Sequence, residues 1–206
     1  MNAAVDPVRL TTWADTHGLL PGDGGLVVTP LGEGHSNLTF LVRRESGDAE
    51  WVLRRPPLGP LLPTAHDVVR EHAVLTLLDR DGTVRVPQTV ACCEDVDVIG
   101  APFYLMDRAE GVVVRDAMPP FMSGEQGLAA RHAVGVQLPV VLGEIASVDW
   151  QPFVDAGIGR PGGYLERQLR RWVGQREGIE AAVAAAGGRA RALPDYDAVR
   201  DWLRTH

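Results

Sequence analysis

The most informative segment of the chain is Leu31-Gly-Glu-Gly-His-Ser-Asn-Leu-Thr-Phe-Leu-Val42. Gly32 and Gly34 lie one residue apart, between an apolar run that ends at Pro30 and a second one that begins at Leu38. This pattern predicts two β-strands joined by a glycine-rich turn. Because glycine has no side chain, such a turn lets the backbone approach a bulky anion, and its successive N–H groups can bind a phosphate.

The polar residues of the turn are candidate ligands for a nucleotide phosphate. His35, Ser36 and Asn37 follow the second glycine, and the side chains of Ser36 and Asn37 can add hydrogen-bond donors. The segment is not the dinucleotide-binding fingerprint, because a strand follows it instead of a helix. It also lacks the Gly-Lys-Ser/Thr ending of a P-loop. An ordinary hairpin loop stays open as an alternative, since glycine-rich turns are common.

The pattern around the turn predicts a strand-rich first part, 1–110, and a helical second part, 111–206. Strands are predicted at 26–30, 38–43, 51–54, 89–93 and 102–106, with helices starting at Asp6-Pro7 and at about residue 65. Ser123 and Gln126 have the spacing of a capping box, which predicts a helix start there. Later helices are predicted at 163–174, 179–186 and 195–204, and Pro139 is expected to kink or interrupt the helix that Ser123 opens.

Two charged residues follow the turn in an order that is typical of kinases. Arg54 lies on the third predicted strand and Glu71 on the helix after it. In the nucleotide lobe of a kinase, a cation at the first position binds the α- and β-phosphates, and a glutamate at the second holds the cation. Taken singly, the two residues could form an exposed ion pair of little value. Their order after a glycine-rich turn favours the phosphate clamp.

Composition limits the possible partners. The formal net charge is −7, which argues against nucleic acid, because phosphate contacts along a duplex need a basic face. All 20 basic residues are Arg, so any side-chain cation that pairs with a phosphate must be a planar guanidinium. The sequence has no apolar run of the roughly 20 residues that span a bilayer and no secretory pattern at its start. We therefore expect no membrane partner and a cytoplasmic location, and we interpret the adjacent Cys92 and Cys93 as core residues on a strand.

Several segments together resemble a known family. They are Gly32-Glu-Gly-His-Ser-Asn-Leu-Thr-Phe40, Val52-Leu-Arg-Arg-Pro-Pro57, Arg70-Glu71, Pro102-Phe-Tyr-Leu-Met-Asp107 and Gly159-Arg-Pro-Gly-Gly-Tyr-Leu-Glu-Arg-Gln168. The chain resembles the aminoglycoside phosphotransferase family, in the kinase-like branch related to the domain fused to some acyl-CoA dehydrogenases. The resemblance implies a protein-kinase-like N-lobe over 1–110, with a five-stranded antiparallel sheet plus a helix, and a partial helical C-lobe over 111–206.

The same resemblance implies a nucleotide site with ATP and magnesium as cofactors. It places Met106 at the back of the adenine pocket, with Asp107 and Ala109 offering backbone groups to adenine. Arg54 stands where a lysine is more usual across kinases.

The chain departs from the family's pattern in its catalytic block. The family has a His-Gly-Asp segment followed by an Asn, then a metal-binding Asp, and the sequence contains no His-Gly-Asp. His17-Gly18 is followed by Leu19, and Asp149-Trp150 precedes the expected catalytic loop. Ala146 stands where the family usually has a His. We therefore assign no catalytic and no metal-binding residue.

These observations lead to three functional hypotheses. The first is the ATP-binding portion of a phosphotransferase that acts on a hydroxyl of a small molecule and is inactive as this chain alone, either a fragment or completed by a second chain. The second is a non-catalytic module that binds a nucleotide or metabolite. The third is an interaction domain whose glycine-rich segment is only a turn. A partial lobe is also expected to expose apolar surface, through which it could form a homodimer.

Overall fold

The chain folds into a mixed structure of strands and helices. The computed structural model describes residues 4–20, 24–32, 37–47, 50–59, 66–189 and 196–205. Its elements are α1 (Pro7–Thr16), β1 (Leu26–Pro30), β2 (Leu38–Arg44), β3 (Glu50–Arg55), α2 (Val68–Asp81), β4 (Thr89–Cys93), α3 (Val96–Ile99), β5 (Phe103–Asp107), α4 (Leu128–Ser147), α5 (Gln151–Asp155), α6 (Tyr164–Ala185) and α7 (Tyr196–Thr205). A 3₁₀ turn at Pro120–Met122 lies between β5 and α4. The predicted α+β class is confirmed.

The five strands form one antiparallel sheet in the order β1-β2-β3-β5-β4. Side chains alternate between the two faces of a strand. One face carries Phe40, Leu53 and Leu105, which lie opposite one another on β2, β3 and β5. The other carries Arg54 and Tyr104, which are also register partners. We call these the core face and the site face.

The core face is covered by α1. Leu10 and Trp13 of this helix belong to the hydrophobic core, and the Trp13 ring meets Phe103 edge-on with ring centroids 4.8 Å apart. The Asp6 side chain caps the helix by accepting from the Val8 N–H, at 2.9 Å. The helix start predicted at Asp6-Pro7 is therefore confirmed.

The two adjacent cysteines lie on β4, as predicted. Cys93 is buried in the core and Cys92 is half-buried, and both are free thiols. Burial raises the pKa of both thiols, that of Cys92 to about 11.

Helix α2 packs on the site face, beside β4 and β5. The His72 ring lies 5.9 Å from the Tyr104 ring, centroid to centroid, and the hydroxyls of Thr76 and Thr89 are 3.0 Å apart. The sequence pattern placed the start of this helix at about residue 65, and the structure begins it at Val68.

The later start of α2 has two local causes. The Asp67 carboxylate accepts from the Arg70 N–H at 2.9 Å and so caps the helix. The preceding residue, His66, has a φ of 60°, which a helix cannot contain. The cap therefore fixes the first turn of α2.

The capping-box prediction at Ser123 is wrong. Helix α4 begins at Leu128. Its N-cap residue is Gly127, and no side chain forms a capping hydrogen bond there. The Ser123 hydroxyl donates instead to the carbonyl oxygens of Met118 and Pro119, at 3.2 and 3.0 Å. The spacing of Ser123 and Gln126 is that of a capping box, but the serine hydroxyl instead bonds to the residues before the 3₁₀ turn and at its start. The helix then continues through Pro139.

The two helices predicted at 163–174 and 179–186 are a single helix, α6. The predicted ranges left a gap between Gly174 and Ile179, but an interior glycine costs a helix only about 1 kcal/mol relative to alanine. Good helix formers such as Glu177 and Glu180 lie in or next to this gap. The prediction of a last helix at 195–204 corresponds to α7.

Contacts divide the described chain into two compact units, one up to Phe153 and one from Val154 onward. The boundary predicted near residue 110 separates a kinase-like N-lobe from a partial C-lobe, and it stays a prediction. Within the described residues, none of the helices is long and apolar enough to cross a bilayer.

Candidate functional site

The structure brings together the two charged residues that the sequence pattern singled out. Arg54 of β3 and Glu71 of α2 meet at the site face, with 3.3 Å between Arg54 Nε and Glu71 Oε2. The two side chains are 32% and 36% exposed, so water only partly screens the pair. Arg54 Nε is buried without a hydrogen-bond acceptor, so the contact is a charge pair without a directed hydrogen bond. The rest of the guanidinium can still face an anion.

Neighbouring side chains hold the Glu71 carboxylate in place. Asn37 Nδ2 donates to Glu71 Oε1 at 2.6 Å, and the Tyr104 hydroxyl donates to Oε2 at 3.3 Å. On its other side, Asn37 Oδ1 lies 3.0 Å from His66 Nδ1. We call Asn37, Arg54, His66, Glu71 and Tyr104 the Glu71 cluster.

The ionisation of the neighbouring rings suits this arrangement. Burial raises the pKa of Tyr104 to about 12, so its hydroxyl keeps the proton that it donates to Glu71. Burial also lowers the pKa of His72, whose ring faces Tyr104. The lowered pKa of His72 favours its neutral form, and the positive charge paired with Glu71 is that of Arg54.

Sequence reasoning missed His66 and Tyr104. Tyr104 lies within the family-like segment that ends at Asp107, and its register opposite Arg54 is the signal that could have found it once the β3–β5 pairing was assumed. The sequence carries no comparable signal for His66, because its role depends on a backbone conformation with positive φ.

The glycine-rich turn is described only at its two ends. Gly34, His35 and Ser36 lie outside the described residues, so their predicted contacts with phosphate stay predictions. Gly32 has a φ of 84°, a conformation that favours glycine. A Cβ built on Gly32 would lie 3.8 Å from Arg115 Nη2, so a second guanidinium reaches the turn.

The residues predicted for adenine lie at the end of β5. Met106 is half-buried and pairs with Val52 of β3 on the site face. The Asp107 N–H donates to the Gln88 carbonyl oxygen at 2.9 Å, so this N–H is already used within the fold. Ala109 follows in an exposed segment. Adenine binding by these residues stays a prediction.

Residues 27–206 match the model of a family described as "Phosphotransferase enzyme family". This match covers well over half of the chain. The chain belongs to this phosphotransferase family. The resemblance noted from the sequence is thereby confirmed, and so is the kinase-like α+β fold.

Relatives with similar sequences have names that refer to another activity. The chain is 32% identical to mouse (Mus musculus) Acyl-CoA dehydrogenase family member 10, over 89% of its own length and 16% of that protein. It is 39% identical to chicken (Gallus gallus) Acyl-CoA dehydrogenase family member 11, over 72% of its length and 18% of that protein. It is 34% identical to Probable acyl-CoA dehydrogenase IBR3 of Arabidopsis thaliana, over 86% of its length and 21% of that protein. The chain thus spans about a fifth of the length of these curated relatives.

A cavity of about 440 Å³ opens beside the charged pair of this phosphotransferase-family chain. Its lining includes Arg54, Arg70, Glu71 and Tyr104. Asp67 also lines the cavity, so its two guanidinium groups are balanced by two carboxylates. Arg54 and Arg70 supply the charged donors that an anionic ligand would need. Within the described residues there is no group of three or more His, Cys, Asp or Glu side chains that could hold a metal ion.

Proposed function

We propose that this chain binds ATP and is the nucleotide-binding part of a kinase-like phosphotransferase. The enzyme would transfer the terminal phosphoryl group of ATP to a hydroxyl of a small molecule. The observation that carries the proposal is the Arg54–Glu71 pair, which lies on the site face in a member of the phosphotransferase family. Asn37 immediately follows the glycine-rich turn and bonds to the same Glu71, which supports placing the turn near the pair.

The proposed binding uses charge and shape. The Arg54 guanidinium would bind phosphate oxygens through its planar fork, and Glu71 would keep the guanidinium on the site face. The turn around Gly32 would add backbone N–H donors, and Arg115 would add positive charge at its rim. The adenine ring would lie against the Met106 side of the sheet.

The part of the chain that the structure describes has no group of three or more ligating side chains that would hold magnesium without the nucleotide. In phosphoryl transfer the ion bridges phosphate oxygens and neutralises their charge. Its protein ligands are carboxylate and amide oxygens, and the described residues offer no acidic cluster for it. The sequence also lacks His-Gly-Asp. We therefore propose that this chain alone binds the nucleotide without transferring its phosphoryl group.

A non-catalytic module that binds a nucleotide or metabolite is the second candidate. The missing His-Gly-Asp is compatible with it, because a module that only binds a ligand needs no segment to orient an acceptor hydroxyl. The two candidates differ in their surfaces. A partial lobe should self-associate through apolar residues such as Leu142 of α4, which is 66% exposed, whereas a mature binding module should be monomeric. Sedimentation of the purified chain at several concentrations separates them.

Arg54→Ala tests the proposed function. Loss of a charged hydrogen-bonding group is expected to weaken ATP binding about 10- to 100-fold. Arg170→Ala is a matched control, because Arg170 forms an exposed ion pair with Glu166, at 3.1 Å, on α6. It should leave the affinity unchanged. Isothermal titration of each variant with ATP measures both effects, and equal affinities for Arg54→Ala and the unchanged chain would overturn the phosphate-clamp assignment.

A further inference from the structure

Asn37 is withdrawn from solvent at the edge of the candidate site. It is 4% exposed, and both ends of its side-chain amide are occupied. Nδ2 donates to Glu71 Oε1 at 2.6 Å, and Oδ1 faces His66 Nδ1 at 3.0 Å. One N–H of the amide is thus committed to a carboxylate. Burial leaves little of the remaining amide for a ligand.

The two partners of Asn37 belong to the beginning of one helix. His66 directly precedes Asp67, the residue that caps α2, and Glu71 lies in the helix near its start. His66 has a φ of 60°, which non-glycine residues rarely adopt and which needs surrounding contacts to hold it. One amide therefore ties the residue before α2 and the carboxylate on α2 to the end of the glycine-rich turn.

The contacts of Glu71 show that the hydrogen bond from Asn37 affects the orientation of the Glu71 carboxylate. Asn37 binds Oε1, while Tyr104 and Arg54 both lie 3.3 Å from Oε2. The bond to Asn37 is the shortest of the three. The Arg54 contact is not a directed hydrogen bond. The hydrogen bonds from Asn37 and Tyr104 therefore determine the orientation of the Glu71 carboxylate.

We propose that Asn37 is a positioning residue, which orients Glu71 and so couples the glycine-rich turn to α2, instead of being a direct phosphate ligand. This inference rests on the proposed ATP site. Asn37 holds the Glu71 carboxylate in the orientation in which it pairs with Arg54, and Arg54 binds the phosphate. The contribution of Asn37 to nucleotide binding therefore passes through Glu71.

A double-mutant cycle tests the coupling. ATP affinity is measured by titration for the unchanged chain, Asn37→Ala, Glu71→Ala and the double variant. Asn37→Ala is expected to weaken binding about 5-fold, the size of one ordinary hydrogen bond. In the Glu71→Ala background the same change should have no further effect. A direct phosphate ligand would instead give the same loss in both backgrounds, because independent contributions add, and that result would overturn the inference.

A second set of variants preserves the size of the buried side chain. Asn37→Asp places a carboxylate against Glu71 and should weaken binding more than Asn37→Ala does. In the Glu71→Gln background, measured against Glu71→Gln alone, Asn37→Asp should cause little further loss, because the new amide can donate to the introduced carboxylate. If the loss persists in the Glu71→Gln background, Asn37 faces the phosphate itself and the inference fails. If the unchanged chain binds no ATP, both the inference and the proposed function are wrong, whereas binding with additive losses overturns the inference alone.

Discussion

The part of the chain up to Met122 and the helices after it use their apolar residues in opposite ways. In the first part, Leu53, Phe103 and Tyr104 are at most 1% exposed. Beyond Met122 none of the described side chains is buried, and Leu142 of α4 is 66% exposed. Both parts are rich in apolar residues, so composition does not explain the difference. The strands alternate and present one apolar face to α1, whereas α4 has apolar residues on all sides and little to pack against.

This difference explains where the candidate site lies. All five residues of the Glu71 cluster belong to the first part. They lie on or directly beside β2, β3, β5 and α2, and the buried core face fixes the register of these strands. A polar contact such as that from Asn37 to Glu71 needs such a frame, because it joins residues 34 positions apart. The exposed apolar surface of α4 is instead suited to association, and we propose a second copy of the chain as its partner.

Leu53→Ala and Leu142→Ala compare the two parts with the same chemical change. Leu53 is fully buried on β3, so its loss should lower the free energy of unfolding by about 2–5 kcal/mol. Leu142 is mostly exposed, so its loss should change the free energy of unfolding by less than about 0.5 kcal/mol. Urea denaturation measures both. A large loss for Leu142→Ala at high protein concentration would break the contrast and show that α4 is covered in solution.

Much of the first part could be predicted from the sequence, because its information is local. Apolar runs bounded by turn residues placed the strands to within about two residues of their observed ends. The order of Arg54 and Glu71 after the turn predicted a pair that the structure brings together. His66 and Tyr104 were missed, since their contacts depend on a positive φ and on strand register. In the helical part, the helix start predicted at Ser123 was wrong. The Ser123 hydroxyl donates to carbonyl groups of preceding residues instead of capping a helix.

Alkaline pH should destabilise the sheet. Burial raises the pKa of Cys92 from 9.0 to about 11 and that of Tyr104 from 10.0 to about 12. Between the ordinary and the raised values, the unfolded chain holds fewer protons than the folded one, so stability falls as pH rises. Stability from these groups is fully present below pH 9 and is lost between about pH 9 and 12. Urea unfolding across this pH range measures the loss of stability. Tyr104→Phe should remove the part of the loss that occurs between about pH 10 and 12. An unchanged pH dependence of stability in Tyr104→Phe would contradict the assignment.

Asp67→Ala and Asp149→Ala compare helix starts in the two parts. Asp67 caps α2, which packs on the sheet, so its loss should cost about 1 kcal/mol of unfolding free energy. Asp149 accepts from the Gln151 N–H at 2.9 Å at the start of α5, a five-residue helix with no buried residue. Its loss should cost less than about 0.5 kcal/mol. Equal costs in urea denaturation would show that α5 unfolds together with the sheet.

Gly32→Ala and Gly143→Ala should change stability in opposite directions. Gly32 has a φ of 84°, so alanine is strained there by about 1 kcal/mol, although its Cβ would meet Arg115 Nη2 at an uncrowded 3.8 Å. Gly143 lies within α4, and no neighbouring atom comes within 4 Å of the position that an alanine Cβ would occupy, so alanine should strengthen that helix by about 1 kcal/mol. Urea denaturation measures the first effect, and circular dichroism of the helical signal measures the second. A neutral Gly32→Ala would mean that the turn relaxes its backbone at no cost. A destabilising Gly143→Ala would mean that a partner packs closely against α4, since only a surface in contact with that position can oppose the gain in helix propensity.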